Sequence, residues 1–269
     1  MAHFQAILAY DGTAFVGWQR QARGRTVQGV VEAALRPLGW QEASLRYAGR
    51  TDAGVHAWGQ VVAFRLAWPH GAEALQRALN ARLPTEVVVR QVRPVPEAFH
   101  PRYDALARRY WYYLYAAPQR DPFRERYAWR VWPPPQGQAL QQAAAVLLGR
   151  HDFAALGTPP NPQGTTVRTV HKAEWRPVPP DGWAFDVVAD AFLYRMVRRM
   201  VALQVAVAQG KQPLQAWRDL VHRPPAHPAQ GLAPPQGLFL AQVCYTRQEQ
   251  KACLEDHPPA WPGLWNGSL

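Results

Sequence analysis

The segment Ala48-Gly49-Arg50-Thr51-Asp52-Ala53-Gly54-Val55-His56-Ala57 places a carboxylate, a guanidinium, an imidazole and two glycines between two strand-like stretches. Short loops of this mixture often carry function. An ionised carboxylate such as that of Asp52 can form a covalent intermediate. Gly49 and Gly54 allow tight backbone paths on either side of Asp52. Arg50, two residues earlier, projects to the same side of an extended segment and can grip phosphate. A structural role fits equally well: Thr51 and Asp52 can close an Asx-type turn, and the residue types leave both readings open. His56 has the chemistry of a general base, yet a lone histidine near a glycine is more often a hydrogen-bonding structural residue. It stays outside the candidate set.

The elements that must hold this loop follow from periodicity. Residues 3–10 read as a strand. The apolar residues Val27, Val30, Val31, Ala34, Leu35 and Leu38 then recur at helical spacing, with Thr26 as N-cap. Strand-like stretches at 44–48 and 60–66, a helix at 72–82 and a strand at 86–95 complete a β-α-β-β-α-β order. A looser repeat follows: strand 110–116, helix 138–148, strands 170–176 and 184–188, helix 192–209 and strand 238–245. The expected fold is α+β, two ferredoxin-like or RRM-like halves with mainly antiparallel sheets flanking a central basic cleft. The domains are expected at 1–105, carrying the Asp loop, and 106–247, with the join near 99–107. The polar, proline-bearing stretch 248–269 is expected to be an extended or disordered tail. Proline-rich stretches at 133–135, 158–163 and 224–235 read as loops.

At 269 residues the chain has ample core for two domains. Thirty basic against nineteen acidic residues give a net charge of +11. Only Lys172, Lys211 and Lys251 are lysines, so 30 − 3 = 27 are arginines, which bind phosphate bidentately and stack on bases. The charge points to a polyanion, nucleic acid before membrane, although codon bias toward arginine produces the same count. Cys244 and Cys253, with no second pair, match neither a disulfide framework nor a zinc site. Met1-Ala2-His3-Phe4 enters a strand pattern without the features of a signal peptide, and no apolar run spans a bilayer. A cytoplasmic location is the expectation.

Gly49-Arg50-Thr51-Asp52-Ala53-Gly54-Val55-His56 resembles the catalytic signature of the tRNA pseudouridine synthase A family, the synthases that modify the anticodon stem-loop. Further pieces resemble the same family in order. They are Tyr10-Asp11-Gly12-Thr13, Gly17-Trp18-Gln19-Arg20-Gln21, Asn80-Ala81-Arg82-Leu83-Pro84, Phe99-His100-Pro101-Arg102 and Arg108-Arg109-Tyr110-Trp111-Tyr112. His151-Asp152-Phe153, the run from Ala191 to Arg198, and Gly237-Leu238 extend the resemblance to roughly residues 4–245.

The resemblance implies isomerisation of uridine to pseudouridine at tRNA positions 38, 39 and 40. The glycosidic bond breaks and the base rejoins ribose through C5, so no cofactor or metal is required. It assigns Asp52 as nucleophile and Arg198 as its cationic partner. Independently, the surrounding helix is apolar on most sides, and a buried arginine normally needs an anion. Arg195 and Arg199 stand where the family commonly has His and Asn. Tyr110 is implied to contact the flipped uracil, although alternating aromatics also suit an ordinary strand. Arg50 is implied to fill the gap left by the flipped base or to hold phosphate. Trp18, Gln19, Arg20, Gln21, Arg102, Arg108 and Arg109 are expected RNA-contacting surface. A homodimer is implied as well. Two rivals remain: a non-catalytic RNA-binding protein, and a metal-dependent nuclease using Asp11, Asp52 and His56.

Overall fold

The computed structural model describes residues 1–159, 161, 163–225 and 227–259. Along the chain run β1 (Ala2–Tyr10), α1 (Val27–Leu35), β2 (Arg46–Tyr47), β3 (His56–Leu66), α2 (Gly71–Asn80), β4 (Val87–Pro94), β5 (Ala107–Ala116) and β6 (Trp129–Val131). There follow α3 (Gly137–Ala145), β7 (Gly149–Asp152), β8 (Val167–Val178), β9 (Gly182–Ala189), α4 (Met196–Ala208), α5 (Leu214–His222), β10 (Leu238–Cys244) and α6 (Arg247–Glu255). They form a mixed α and β architecture in two compact units. The first is Met1–Leu106 with Phe239–Tyr245, the second Ala107–Leu238 with Thr246–Leu269. The last strand, expected in the second half, thus lies mostly in the first unit, because Phe239 and Leu240 pair in parallel with His56 and Ala57 of β3.

In the first unit the strands run β4-β1-β3-β10, with β2 also paired to β3. The β1–β3, β1–β4 and β2–β3 pairs are antiparallel. Helix α1 starts where Thr26 Oγ1 accepts from Gly29 N at 3.3 Å, and it buries Val27, Val31, Ala34 and Leu35. In α2, Leu75 and Leu79 sit one turn apart and are fully buried, each contributing roughly 1.5–3 kcal/mol. The Asn80 amide at the end of α2 pairs with Val89 of β4, accepting from its N–H at 2.7 Å and donating to its carbonyl at 2.9 Å. Helix and sheet edge are thereby locked together.

In the second unit the order is β5-β9-β8-β7, with β6 paired to β5. One sheet face buries Tyr112, Phe185 and Trp175 beneath helices. The Trp175 indole donates to Gln204 of α4 at 2.9 Å, and the Trp217 indole of α5 donates to the Ala143 carbonyl of α3 at 2.8 Å. Helix α4 begins at Met196, four residues later than the periodicity predicts, because Arg195 has φ +62°. That left-handed conformation costs a non-glycine residue roughly 1–3 kcal/mol and cannot continue a helix.

The opposite face carries charge. Arg109 and Asp186 are both fully buried, and the guanidinium donates through Nε and Nη2 to the two carboxylate oxygens at 2.8 Å each. Lys172 Nζ lies 2.8 Å from Asp186 and 3.1 Å from Glu174. Burial works against the Arg109 charge, but the bonds and attraction of Asp186 outweigh it and raise the guanidinium pKa. Arg109 is therefore not RNA-contacting surface as expected; it is an interior cation with its own anion.

The carboxy-terminal stretch also differs from the extended or disordered tail expected over 248–269. Thr246 and Glu249 form a capping box, with Thr246 Oγ1 accepting from Glu249 N and Glu249 Oε2 accepting from Thr246 N, both at 3.1 Å. That Thr-x-x-Glu pair starts α6 despite its sparse apolar content. Beyond the helix, the Asp256 carbonyl accepts from Arg109 Nη2 at 2.8 Å and Lys172 Nζ at 2.7 Å. The Tyr113 hydroxyl donates to the Pro259 carbonyl at 2.9 Å. Residues 260–269 of the expected tail lie outside the described residues.

Candidate active site

The Asp52 loop connects β2 to β3, and its main chain is fixed on both sides of the carboxylate. Gln60 Nε2 donates to the Gly49 carbonyl at 2.7 Å, and Trp18 N donates to the Thr51 carbonyl at 3.0 Å. The Thr51 hydroxyl lies 2.8 Å from that of Tyr10. Val55 N closes a turn onto the Asp52 carbonyl at 3.2 Å, and Gly54 within it has φ +75°, a conformation that favours glycine. Gly54 N also donates to the Phe15 carbonyl at 3.3 Å. Thr51 is buried while Asp52 is half-buried. A carboxylate on so constrained a backbone is pre-positioned and still reachable, as nucleophilic chemistry requires.

Close packing beneath the loop adds to this. A Cβ at Gly12 would sit 2.1 Å from the Val55 carbonyl oxygen, so Gly12→Ala must push the end of β1 away from the loop. We expect this variant to lose about 1–3 kcal/mol of stability, read as a lower urea midpoint, together with activity. An unchanged midpoint would contradict this packing.

Arg50 lies on the same loop, exposed, with Nε donating to the Tyr47 hydroxyl at 2.9 Å. His56 is buried, accepts from Gly12 N at Nδ1 over 3.0 Å, and stacks on Phe239 with centroids 4.6 Å apart. Asp11 Oδ1 lies 3.2 Å from the same nitrogen. These contacts anchor β1 under the loop. Trp18 is fully buried between Tyr10 and Tyr47, at centroid distances of 6.0 and 5.5 Å. It supports the loop from inside, and its expected role as RNA-contacting surface is corrected accordingly. Arg20 pairs with Glu32 at 2.7 Å. The supporting roles of Tyr10, Tyr47 and Gln60 were not read from the sequence; only Tyr10 lay in a recognised motif.

In the second unit Tyr110 stands on β5 opposite Val187, half-buried, its ring edge-on to Phe192 at 4.9 Å. Strand alternation puts it on the face of Tyr112, away from Arg109. Arg198 of α4 is buried and its Nε donates to the Ala233 carbonyl at 2.8 Å. Burial pushes the Tyr112 phenol well above its ordinary pKa, and the Arg198 cation nearby works in the opposite direction. Tyr110 and Arg198 thus serve one side of this unit's sheet, while Arg50 and Asp52 share one loop of the first unit. Among the described residues, no three of His, Cys, Asp and Glu are gathered as metal ligands.

Residues 6–104 and 143–246 match the family model described as tRNA pseudouridine synthase. The protein named tRNA pseudouridine synthase A from Paraburkholderia phymatum is 36% identical over 261 residues, 97% of this chain and 97% of that relative. Its namesake from Syntrophotalea carbinolica is 39% identical over 256 residues, covering 95% and 100%. That from Lactiplantibacillus plantarum is 36% identical over 255 residues, covering 93% and 97%. The chain belongs to the tRNA pseudouridine synthase family. This is an isomerase family, and the resemblance read from the Asp52 loop led to it. Of the candidate residues, Arg50, Asp52 and Arg198 fall within the segments matched to the tRNA pseudouridine synthase model, whereas Tyr110 lies between them. No helix among the described residues is long and apolar enough to cross a membrane.

Proposed function

We propose that this chain isomerises uridine to pseudouridine at positions 38, 39 and 40 of the tRNA anticodon stem-loop, with Asp52 as nucleophile. The observation that carries this reading is the similarity to named tRNA pseudouridine synthases along nearly the whole chain. The pinned, accessible loop supports the choice of Asp52. In the reaction the N1–C1′ bond breaks and a C5–C1′ bond forms; C5 gives up a proton and N1 gains one, without net oxidation or hydrolysis. Asp52 supplies the anionic group that holds or activates the separated base and sugar. Arg198 takes the cationic role that the resemblance implies, and Tyr110 stacks on and bonds the extruded uracil. The first unit, with its β-α-β-β-α-β order, is on this reading one of two ferredoxin-like halves. The enzyme works as a cytoplasmic homodimer.

Arg50 reaches the RNA from the loop itself. Arg50→Ala is expected to lower kcat/KM for tRNA by about tenfold to a hundredfold, the value of a charge-assisted contact, with the fold intact by circular dichroism. Wild-type turnover in this variant would remove Arg50 from the site.

Incubation of the purified chain with unmodified tRNA, with and without chelator, tests the function. The expected result is more pseudouridine than protein molecules and an unbroken RNA strand. Strand cleavage that chelator abolishes would favour the nuclease, and tRNA binding without turnover would favour the binding protein.

A further inference from the structure

The segment His100-Pro101-Arg102-Tyr103-Asp104 holds an aromatic ring in solvent on a locked backbone. Asp104 Oδ2 accepts from His100 N at 2.9 Å, and Asp104 N donates to the His100 carbonyl at 3.1 Å. His100 Nδ1 accepts from Arg102 N and Tyr103 N at 3.2 and 3.4 Å, and the Tyr245 hydroxyl donates to the Pro101 carbonyl at 2.7 Å. None of these bonds uses the Tyr103 side chain, which is 75% exposed. Its ring lies 4.3 Å from the His100 ring at 35°, with the Arg102 guanidinium 5.8 Å from its centroid. Burial lowers the His100 pKa and the Arg46 cation adds to the effect, which fits a neutral ring accepting at Nδ1.

A tyrosine left this exposed gains nothing from the core, and rigid presentation removes the ordering cost of a contact in advance. An aromatic face beside a guanidinium group is the chemistry that binds unpaired bases and their phosphates. We propose that Tyr103, backed by His100, is a stacking platform for an unpaired nucleobase of the RNA substrate, with Arg102 serving the adjoining phosphate. This rests on the RNA-substrate reading above.

Steady-state turnover of an unmodified tRNA transcript is compared for wild type, Tyr103→Ala, Tyr103→Leu and Tyr103→Phe. The Ala and Leu variants are expected to raise KM about tenfold, the effect of one lost stacked base, without a matching fall in kcat. The Phe variant keeps the ring and restores the wild-type KM. Equal KM in all four overturns the platform, as does a Leu variant with the wild-type KM, which would mean a generic apolar contact. A changed oligomeric state on sedimentation, accompanying the loss, overturns it in favour of a protein–protein contact. Absence of pseudouridine with wild type defeats the parent reading; direct tRNA affinity of the same variants, by fluorescence anisotropy, still decides the platform in that case.

Discussion

Asp52→Ala is expected to leave pseudouridine formation at least about four orders of magnitude below wild type, as removal of a nucleophile does in enzymes that use one. The fold and tRNA affinity are expected to survive. The bonds that set the loop run through the main chain of Gly49, Thr51, Asp52 and Gly54, and all of these groups persist in the variant. Single-turnover assays with enzyme in excess separate lost chemistry from lost binding, and circular dichroism reads the fold. Activity within tenfold of wild type would return Asp52 to the structural turn that its residue type also allows.

Asp186→Ala carries the largest expected loss of stability. It would take the buried anion from Arg109, fully buried, and Lys172, nearly so, leaving them only the more exposed carboxylates of Asp256 and Glu174. Breaking a buried pair on one side costs about 3–5 kcal/mol, and at about 2–4 °C per kcal/mol the melting temperature falls by roughly 6–20 °C. Removing both charges, as in Arg109→Met with Asp186→Leu, is expected to recover much of the loss, because the penalty comes from a buried guanidinium that has lost its buried anion rather than from the absence of the pair. Thermal unfolding by circular dichroism measures both variants. A single variant melting within about 2 °C of wild type would show that water reaches the cluster.

The first unit was readable because its signals are local. Thr26 caps α1 as its residue type predicts, and the alternation of strands and helices follows apolar spacing over a few residues. What was misread depends on distant partners. Arg109 looked like RNA-binding surface, because its anion Asp186 lies 77 residues along the chain. Trp18 looked exposed, because the Tyr10 and Tyr47 rings that cover it come from separate strands. The late start of α4 turns on one left-handed arginine, a conformation that no spacing rule predicts. For α6 the Thr246 and Glu249 capping signal was present, but a helix with Cys253 as its buried residue has too little apolar periodicity to be seen. At the candidate site the loop residues were legible as chemistry, while the scaffold that fixes them was not. That scaffold ties main-chain groups of the loop, which any sequence supplies, to partners from distant elements such as Trp18 and Gln60.

The most direct test of the central claim is position-resolved mapping of pseudouridine in an unmodified tRNA transcript bearing uridines at 38, 39 and 40, after incubation with wild type or Asp52→Ala. The account predicts conversion at those positions by the wild type alone. Unaltered uridines with a folded wild type that binds the tRNA, or equal conversion by both proteins, would contradict it.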